Sequence, residues 1–319
     1  MKVLITGADG FVGRNLVSDF AARGYSVNAA ARNRIAEMPK GVKWIAAPSL
    51  GTGADFSAAV RGCDIVVHAA ARVHIMKETT RDPLVEFRAV NVEGTIALAR
   101  AAVAAGVPHL VFLSSVKVNG EETQNGHRFT AANLLNPQDA YAVSKAEAEK
   151  ALLEIAAESG MVVTIVRPVL VYGAGVKGNF RTMMAVIARG LPLPLGGINN
   201  RRSLVYVRNL TDFIVTLVEY PGAHGKIVFV SDGNDLSTSD LLRMIGQSLN
   251  RPARLLPVPL AIQRLAVSIA GENSVASRLF GSLQVDHNSA CDAVHWSPPF
   301  TVEEGIAETT ADYRSSLGL

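Results

Sequence analysis

The sequence predicts an α/β protein in which a doubly wound parallel sheet is followed by a smaller α/β lobe. In the first half, short apolar runs of the kind found in strands buried on both faces alternate with stretches of helical periodicity. A glycine-rich turn, Thr6–Gly13, joins the first strand to the first helix. The alternation stops after Pro168, which predicts a dinucleotide-binding domain over residues 1–167 and a substrate-binding lobe over residues 168–319, with some segments interleaved.

Six apolar runs predict the strands of the sheet. They are Val3–Thr6, Ser26–Ala30, Val42–Ala46, Ile65–Ala69, Leu110–Ser114 and Val162–Val166. Parallel strands need long crossover connections, which are usually helical. Helices are accordingly predicted at Val12–Arg23, Phe56–Arg61, Pro83–Ala105 and Ala140–Ser159.

Composition excludes several classes of protein. The chain has 319 residues, of which 49% are hydrophobic, and a formal net charge of +3, so it can bury a large core but predicts no nucleic-acid surface. Cys63 and Cys291 have neither disulfide-framework nor metal-ligand spacing, which predicts no metal site and a reducing, cytoplasmic location. The first residues lack the apolar core of a signal peptide, and prolines and polar residues interrupt the apolar run Leu255–Ala270, so no membrane contact is expected.

The turn after the first strand reads Thr-Gly-Ala-Asp-Gly-Phe-Val-Gly over Thr6–Gly13. A strand, a glycine turn and a helix in this order are typical of Rossmann-type domains, in which a dinucleotide pyrophosphate lies at the helix N-terminus. Glycines allow the tight turn, the approach of the backbone to the phosphates and the close packing of helix on strand. The residues of the turn predicted to bind the cofactor are Gly7, Gly10, Phe11 and Val12.

The end of the second strand indicates which dinucleotide binds. Enzymes that use NAD usually have an acidic residue there for the ribose 2′-hydroxyl, but here no acid occurs before Glu37. Arg32 and Arg34 stand there instead and can pair with a 2′-phosphate. The sequence therefore favours NADP over NAD as the cofactor, with solvated loop arginines as the alternative interpretation.

Tyr141 and Lys145 lie four residues apart near the start of a predicted helix, on one face of it. A tyrosine with its ordinary pKa near 10 is a poor base at neutral pH, and a neighbouring ammonium group and an oxidised nicotinamide would each lower that pKa. Ser115, at the end of the fifth strand, can hydrogen-bond the reacting oxygen. These three residues are the predicted catalytic set, with Tyr141 as the acid–base residue.

In these motifs the chain resembles the extended short-chain dehydrogenase/reductases, and among them the nucleotide-sugar epimerases and dehydratases. The segments that carry the resemblance are Thr6–Gly13, Asp64–Ala71, Asn91–Thr95, Ser114–Ser115, Tyr141–Lys145 and Arg167–Gly173. The resemblance implies that Ala69, Ala70 and Ala71 line the cofactor. It also implies that Asn91 supports the active-site network, that Lys145 orients the cofactor ribose, and that Pro168 packs near the nicotinamide.

The resemblance further implies the contacts to substrate, which is expected to be a UDP-linked nucleotide sugar. Asn179 and Arg202 match positions that hold the nucleotide diphosphate in related enzymes, and Arg278 is a weaker candidate. Lys117 and His74 stand where they could touch substrate, although ordinary loop side chains are the simpler interpretation.

Three functions fit this pattern. Similarity to a subgroup of UDP-glucose 4-epimerases, associated with surface-polysaccharide sugars, implies reversible hydride transfer at C4 of a UDP-hexose. The alternatives are an NADPH-dependent reductase of a UDP-4-keto-6-deoxyhexose and, in another class, a non-catalytic sensor of nicotinamide redox state. A dehydratase is disfavoured, because Ser115-Val116-Lys117 stands where dehydratases have Thr-Asp-Glu. Family analogy implies a homodimer formed through the helices at Pro83–Ala105 and Ala140–Ser159.

Overall fold

The computed structural model describes residues 1–35, 38–73, 82–124, 126–259 and 279–318. The strands are β1 Lys2–Thr6, β2 Ser26–Ala31, β3 Val42–Ala46, β4 Ile65–His68, β5 His109–Leu113, β6 Val162–Pro168, β7 Leu170–Tyr172, β8 Leu204–Tyr206 and β9 Ile227–Val230. The helices are α1 Phe11–Ala22, α2 Ser57–Val60, α3 Pro83–Phe87, α4 Gly94–Ala104, α5 Ala140–Ser159, α6 Gly178–Ala188, α7 Val207–Glu219, α8 Thr238–Ser248, α9 Asn288–Val294 and α10 Val302–Ser315. A π-helical segment occupies Arg88–Glu93, and 3₁₀ turns occupy Val116–Val118 and Pro221–Ala223.

Seven strands form one parallel sheet in the order β3-β2-β1-β4-β5-β6-β9. The predicted fold class is confirmed, and all six predicted strands occur with bounds within two residues of the prediction. The seventh strand, β9, was not predicted because it is short and lies where the regular alternation has ended. The strand order reverses between β1 and β4, which opens a crevice at their carboxyl ends where ligands bind in such sheets.

Helices cover both faces of the sheet, and β1 shows how its side chains divide between them. Val3 and Ile5 join one buried cluster, on the side where α1 packs against α7. Leu4, between them, joins the opposite cluster with Leu98 of α4 and Leu152 of α5. This alternation follows from the two-residue period of a strand, and it explains why the whole run is apolar.

The predicted helix Pro83–Ala105 has the expected extent but is not a regular α-helix. The side chain of Asp82 caps its start by accepting hydrogen bonds from the backbone N–H groups of Leu84 and Val85. Its middle section, Arg88–Glu93, has π-helical hydrogen bonding, a feature that is frequent at functional sites. The π-helical section changes which residues face the neighbouring helix.

The second lobe has its own apolar core and a two-stranded parallel sheet of β7 and β8. Tyr172 stacks on Phe180 with ring centroids 5.4 Å apart, and its hydroxyl donates to Asp232 at 2.9 Å. The division of the chain at residue 168 stays a prediction. Two elements that follow this residue, α7 and β9, lie in the helical layer and in the main sheet of the first lobe.

No helix within the described ranges combines the length and the apolar composition that crossing a bilayer requires. Of the apolar run Leu255–Ala270, residues 260–270 lie outside the described residues. The first residues of the run pair with the second lobe, since the backbone of Leu256 donates to Leu193 at 2.8 Å and accepts from Gly196 at 3.0 Å.

A buried ion pair fixes α5 to β6, the strand between β5 and the edge strand β9. Arg167 donates through Nε to Glu149 at 3.0 Å and through Nη2 at 2.5 Å, and both side chains are only 2% exposed. Arg167 Nη1 donates to the side-chain oxygen of Asn119 at 3.1 Å. Since each charge has lost its water, either one alone would be strongly unfavourable in this position.

Replacing Arg167 by Met is expected to lower the free energy of unfolding by about 3–5 kcal/mol, because Glu149 would be left buried without a partner. The matched control is Arg243→Met, which breaks an exposed pair with Asp240 and is expected to cost about 0–1 kcal/mol. Urea unfolding at neutral pH measures both. The double variant Arg167→Met with Glu149→Leu should recover much of the loss, and equal costs for the buried and exposed pairs would contradict the interpretation.

Candidate active site

The glycine turn lies in direct contact with the chain that follows β4. Gly7 has a φ of +67°, and a Cβ atom there would lie 2.8 Å from the backbone of Ala70. A Cβ at Gly13 would lie 1.9 Å from the carbonyl oxygen of Gly7. Both positions therefore require glycine, because any side chain would push two backbone segments apart. The turn is closed by the Gly10 N–H group, which donates to the Gly7 carbonyl at 2.9 Å.

The start of α1 is suited to an anion. Gly10 is its N-cap residue, no side chain among the described residues caps the helix there, and its first turn has no acidic residue. By contrast, α5 is capped by the carboxylate of Asp139. The N–H groups of Phe11 and Val12 have no partner inside α1, since the first N–H groups of any helix lack one, and the helix dipole adds positive potential. These features fit a pyrophosphate at the predicted position.

The alanine stretch after β4 is held at both ends by hydrogen bonds. The Ala70 N–H group donates to the Thr6 hydroxyl at 3.3 Å, and the Arg72 N–H group donates to the side-chain oxygen of Asn91 at 2.8 Å. Ala69, Ala70 and Ala71 are all partly exposed at the carboxyl end of β4. Small side chains here leave the edge of the crevice open.

His68 lies at the centre of a directed chain of hydrogen bonds. The Thr95 hydroxyl donates to the Asn91 carbonyl at 2.6 Å, so it must accept from Nε2 of His68, which is 2.9 Å away. Nδ1 of the ring then accepts from the Thr6 hydroxyl at 2.6 Å. Burial lowers the pKa of His68 to about 3, with a smaller contribution from the Lys145 charge. The imidazole is therefore neutral and fixed in one tautomer.

Asn91 connects this chain to the helix that bears Tyr141. Its side-chain amide donates to the Arg72 carbonyl at 3.0 Å and to the Ser144 hydroxyl at 3.0 Å. The Ser144 hydroxyl in turn donates to the Tyr141 carbonyl at 2.7 Å. Asn91 is buried within the π-helical segment, so its side chain has no freedom to leave these partners.

Tyr141 and Lys145 lie on adjacent turns of α5, as predicted from their spacing. The Tyr141 ring meets the Phe87 ring edge-on, with centroids 6.1 Å apart. The Lys145 ammonium nitrogen lies 3.9 Å from the ring centroid of Phe112 on β5, and Lys145 as a whole is 2% exposed. An ammonium group over an aromatic face is stabilised by the ring quadrupole, which partly offsets its burial.

The pKa of Tyr141 differs from the expectation based on Lys145. Burial, followed by the negative charge of Asp139, raises the pKa of Tyr141 to about 12. Burial also lowers the pKa of Lys145 to about 7, although Glu149 opposes this. Desolvation therefore outweighs the attraction that the sequence suggested. Tyr141 is a proton donor at neutral pH in this environment, and further positive charge is needed to make it a base.

Ser115 lies two residues after the end of β5 and is the N-cap residue of the 3₁₀ turn. Its hydroxyl oxygen accepts a hydrogen bond from the Lys117 N–H group at 3.2 Å, which leaves its own proton able to donate to a reacting oxygen. The neighbouring Ser114 is buried, and its hydroxyl has no partner among the described residues. Ser115, which is partly exposed, is thus the accessible member of the pair.

Two further predicted cofactor residues lie at the same edge of the sheet. Arg32 is exposed immediately after β2, where a side chain can reach the ribose of a dinucleotide. Pro168 is buried at the end of β6, opposite Val230 in the register of the sheet. Parallel pairing brings the ends of β1, β2, β4, β5 and β6 together, so the predicted cofactor and catalytic residues share one edge.

The predicted substrate residues belong to the second lobe. Asn179 is exposed in the first turn of α6, and no side chain within the described ranges caps that helix. Arg202 is partly buried, and its Nη1 donates to the Gly281 carbonyl at 2.8 Å. Arg278 and His74 lie outside the described residues.

One residue of the site, Asp139, was missed in the sequence. It caps α5 by accepting from the Ala142 N–H group at 2.7 Å, and its second oxygen lies 2.5 Å from the Lys117 ammonium nitrogen. An aspartate just before a helical run is a recognisable N-cap signal, so the cap could have been found. The ion pair with Lys117 spans 22 positions and leaves no local signal.

Comparison with protein families matches residues 3–230 to the model of the NAD-dependent epimerase/dehydratase family. A UDP-glucose 4-epimerase from Vibrio cholerae is 40% identical over 310 residues, which cover 97% of this chain and 94% of that protein. The matched region includes the glycine turn, the alanine stretch, the 3₁₀ turn that Ser115 caps, and the helix that bears Tyr141 and Lys145.

Two solved structures are similar over nearly the whole chain. The UDP-glucose 4-epimerase of Thermus thermophilus, in complex with NAD, is 25% identical with a TM-score of 0.77, covering 99% of this chain and 100% of that one. The protein RMD of Pseudomonas aeruginosa, complexed with NADPH, is 21% identical with a TM-score of 0.72, covering 98% and 99% of the two chains. The second likeness concerns the fold alone.

Replacing His68 by Gln is expected to change how stability depends on pH. Because the folded pKa, about 3, lies below the unfolded value of 6.5, the unfolded chain takes up a proton at His68 as the pH falls from 6.5 towards 3, and the folded chain does not. Stability is therefore lost in this window by up to about 1.4 kcal/mol per pH unit, and His68→Gln should remove that share of the slope. Denaturant unfolding between pH 6.5 and 4.5 measures it. His127→Gln, at an exposed position, is the control, and equal slopes for both variants would contradict the buried neutral ring.

Proposed function

Because the chain belongs to the NAD-dependent epimerase/dehydratase family, we propose that it is a nucleotide-sugar epimerase acting at C4 of a UDP-hexose. The observation that carries the proposal is the position of Tyr141 and Lys145 on the first turns of α5, beside the Ser115 turn and the crevice of the sheet. The Vibrio cholerae relative supports the choice of reaction. The sugar and its UDP group are inferred from that relative.

Each residue of the proposed site has a separate role in this reaction. A nicotinamide dinucleotide, held by the glycine turn, the start of α1 and Lys145, would supply reversible hydride transfer at C4 of the sugar. Tyr141 removes the proton from O4 and later restores it, and the Ser115 hydroxyl donates to the same oxygen as charge develops. Lys145 holds the ribose and places its positive charge near the phenol.

The raised pKa of Tyr141 fits a residue that acts only when cofactor is bound. Burial and Asp139 raise the pKa of the phenol, so very little phenolate is present at neutral pH to act as a base. The positive charge of an oxidised nicotinamide, added to that of Lys145, favours the phenolate. General acid–base catalysis is most efficient when the pKa lies near the working pH, and this charge brings the phenol closer to it.

The cofactor is a nicotinamide dinucleotide, and we propose NADP as the preferred form. Support comes from Arg32 and Arg34, both exposed at the end of β2, where no acidic residue precedes Glu37 in the sequence. The similar structures from Thermus thermophilus and Pseudomonas aeruginosa hold NAD and NADPH respectively, so both forms occur in this fold. The glycine turn and the start of α1 suit the pyrophosphate of either.

The remaining predicted contacts stay proposals. Asn179 at the start of α6 and Arg202 are proposed to hold the UDP diphosphate; a guanidinium carries five donors, so the bond from Arg202 to Gly281 is compatible with this role. Arg278 is retained as a weaker candidate. The homodimer through α4 and α5 also stays a prediction, as do the two-domain division and the cytoplasmic location.

One observation favours a second function, the NADPH-dependent reduction of a UDP-4-keto-6-deoxyhexose. An epimerase regenerates its cofactor in each turnover, whereas a reductase consumes it. Arg32 is exposed at the end of β2, and its proposed selection of the 2′-phosphate would suit the reductase better. Tyr141 would then donate its proton to the oxygen of the reduced carbonyl, and its raised pKa ensures that the phenol is protonated before this step.

Replacing Tyr141 by Phe is expected to lower turnover by about 10²–10⁴-fold, the range typical of a lost acid–base residue, with little change in dinucleotide affinity. Formation of UDP-galactose from UDP-glucose, with no added cofactor, measures the reaction. Tyr220→Phe, at a surface position that is 46% exposed, is the matched control and should keep full activity.

The same assay separates the candidate functions. If the unaltered protein forms no epimer but oxidises NADPH in the presence of a UDP-4-keto-6-deoxyhexose, the reductase replaces the epimerase. If it binds a dinucleotide tightly and neither reaction occurs, the protein is a sensor of nicotinamide redox state. Unchanged turnover in Tyr141→Phe would reject the catalytic assignment of this residue.

Replacing Arg32 by Ala is expected to raise the Kd for NADP by about 10–100-fold, since a charge-assisted bond to phosphate contributes about 1.5–3 kcal/mol. The Kd for NAD should change little, because it has no 2′-phosphate. Calorimetric titration with both dinucleotides measures the ratio, and Arg61→Ala, at an exposed position after α2, serves as the control. Equal weakening for both dinucleotides would exclude Arg32 as the selecting residue.

A further inference from the structure

Lys117 is the middle residue of the 3₁₀ turn that Ser115 caps, here called the serine turn, and its side chain reaches the start of α5, here called the tyrosine helix. It follows Ser115 by two residues, and its own N–H group hydrogen-bonds the Ser115 hydroxyl oxygen at 3.2 Å. Its ammonium nitrogen lies 2.5 Å from Asp139 and 3.2 Å from Glu121, and all three side chains are between 18% and 30% exposed. An anionic group of a substrate would have to compete with these two carboxylates, so direct recognition of substrate is not the natural role of Lys117.

Asp139 uses its two carboxylate oxygens in different directions. One accepts from the Ala142 N–H group and so begins α5, and the other contacts Lys117. Tyr141 lies two residues further on, in the first turn of the same helix. The backbone bond from Asn136 N–H to the Val118 carbonyl, at 2.9 Å, joins the same two segments. The ion pair thus connects the 3₁₀ turn that Ser115 caps to the helix that bears Tyr141.

The ion pair also sets the charge beside Tyr141. Asp139 is close enough to raise the pKa of Tyr141, and this carboxylate is ion-paired with the ammonium group of Lys117, which carries the opposite charge. Other charged groups lie on the elements packed around Tyr141. They are Lys145 and Glu149 on α5, Arg72 and Glu86 beside the Phe87 ring, the ion pair of Arg88 with Glu147, and Glu121 on Lys117. None of these others caps the helix that bears Tyr141.

We propose that Lys117 and Asp139 form a positioning pair that fastens the serine turn to the start of the tyrosine helix and balances the charge next to Tyr141. The inference rests on the proposed function only in taking Tyr141 as the acid–base residue. At the position where the resemblance places the acid of dehydratases, this chain therefore carries a cation that is used internally.

The test uses variants that remove each charge separately. Asp139→Asn keeps a good N-cap residue and removes the negative charge, whereas Lys117→Met removes the positive charge and keeps the length of the side chain. The readout is the ultraviolet absorbance of tyrosinate as a function of pH, with protein saturated with NADP⁺ and then with NAD⁺, and with Tyr141→Phe subtracted. Lys117→Met should move the ionisation to higher pH by about 0.5–1 unit and Asp139→Asn to lower pH by a similar amount. The double variant should return close to the starting protein.

The opposite signs distinguish a role in charge balance from simple loss of structure. Damage to the fold would shift the ionisation of Tyr141 in the same direction in both single variants. The double variant would not reverse such a shift. Lys117→Arg keeps the positive charge, so Tyr141 should ionise at the same pH as in the starting protein. Lys150→Met removes an exposed cation from the same helix, where it pairs with Glu154 at 3.9 Å, and should shift nothing. Shifts of the same sign, or none in either single variant, would overturn the proposal.

Failure of this inference can be told apart from failure of the proposed function, because the titration needs no sugar. If the opposed shifts occur in a protein that forms no epimer, the positioning pair stands and the epimerase does not. If the protein epimerises UDP-glucose and the shifts are missing, the epimerase function is supported and the positioning pair is rejected. Should Lys117→Met fail to fold, Asp139→Asn and Lys117→Arg still give the downward shift and the unshifted titration that the proposal requires.

Discussion

The site depends on one close contact, that between the backbone at Gly7 and the backbone at Ala70. There is no room for a side chain between the turn after β1 and the stretch after β4, so the two strand ends meet directly at the crevice. This contact lets the Ala70 N–H group reach the Thr6 hydroxyl, and the Thr6 hydroxyl reach His68. From His68 the same chain of bonds continues to the π-helical segment and to the helix of Tyr141. The backbone of Tyr141 is thus linked to the glycine turn through hydrogen bonds.

Much of this arrangement could be predicted from the sequence, where local patterns determine it. The strands were predicted because buried parallel strands are continuous apolar runs, and the predicted bounds of α5 agree with the structure. Asp139 and Gly160, with a φ of +76°, stand at the two ends of this helix. The strand β9, the π-helical segment and the pair of Lys117 with Asp139 could not be predicted, because contacts distant in sequence determine them. The pKa of Tyr141 was misjudged for a related reason, since spacing reveals neighbours but not the extent of burial.

Three side-chain contacts, spaced along its length, hold helix α5 against the rest of the protein. Asp139 at its start pairs with Lys117 after β5, and Glu149, further along, pairs with Arg167 of β6. Between them the Lys145 ammonium lies over the Phe112 ring of β5. Each of these three charged side chains thus meets an opposite charge or an aromatic face, which offsets the cost of burial. The proposed catalytic pair, Tyr141 and Lys145, therefore lies on a helix that has little freedom to rotate.

The pairing of β6 with β9 limits how such a protein can be recombined. In register, Ile165 lies opposite Ile227, so the last strand of the first half is completed by a strand that the chain supplies about sixty residues later. A chimera joined at residue 168 would bring in a foreign β9 from its donor, or leave β6 as an unpaired apolar edge prone to aggregation. Exchange of the predicted substrate-binding lobe between relatives must therefore keep α7 and β9 with the host sheet. The interchangeable unit is a set of separate segments, and no single crossover point in the chain can transfer it.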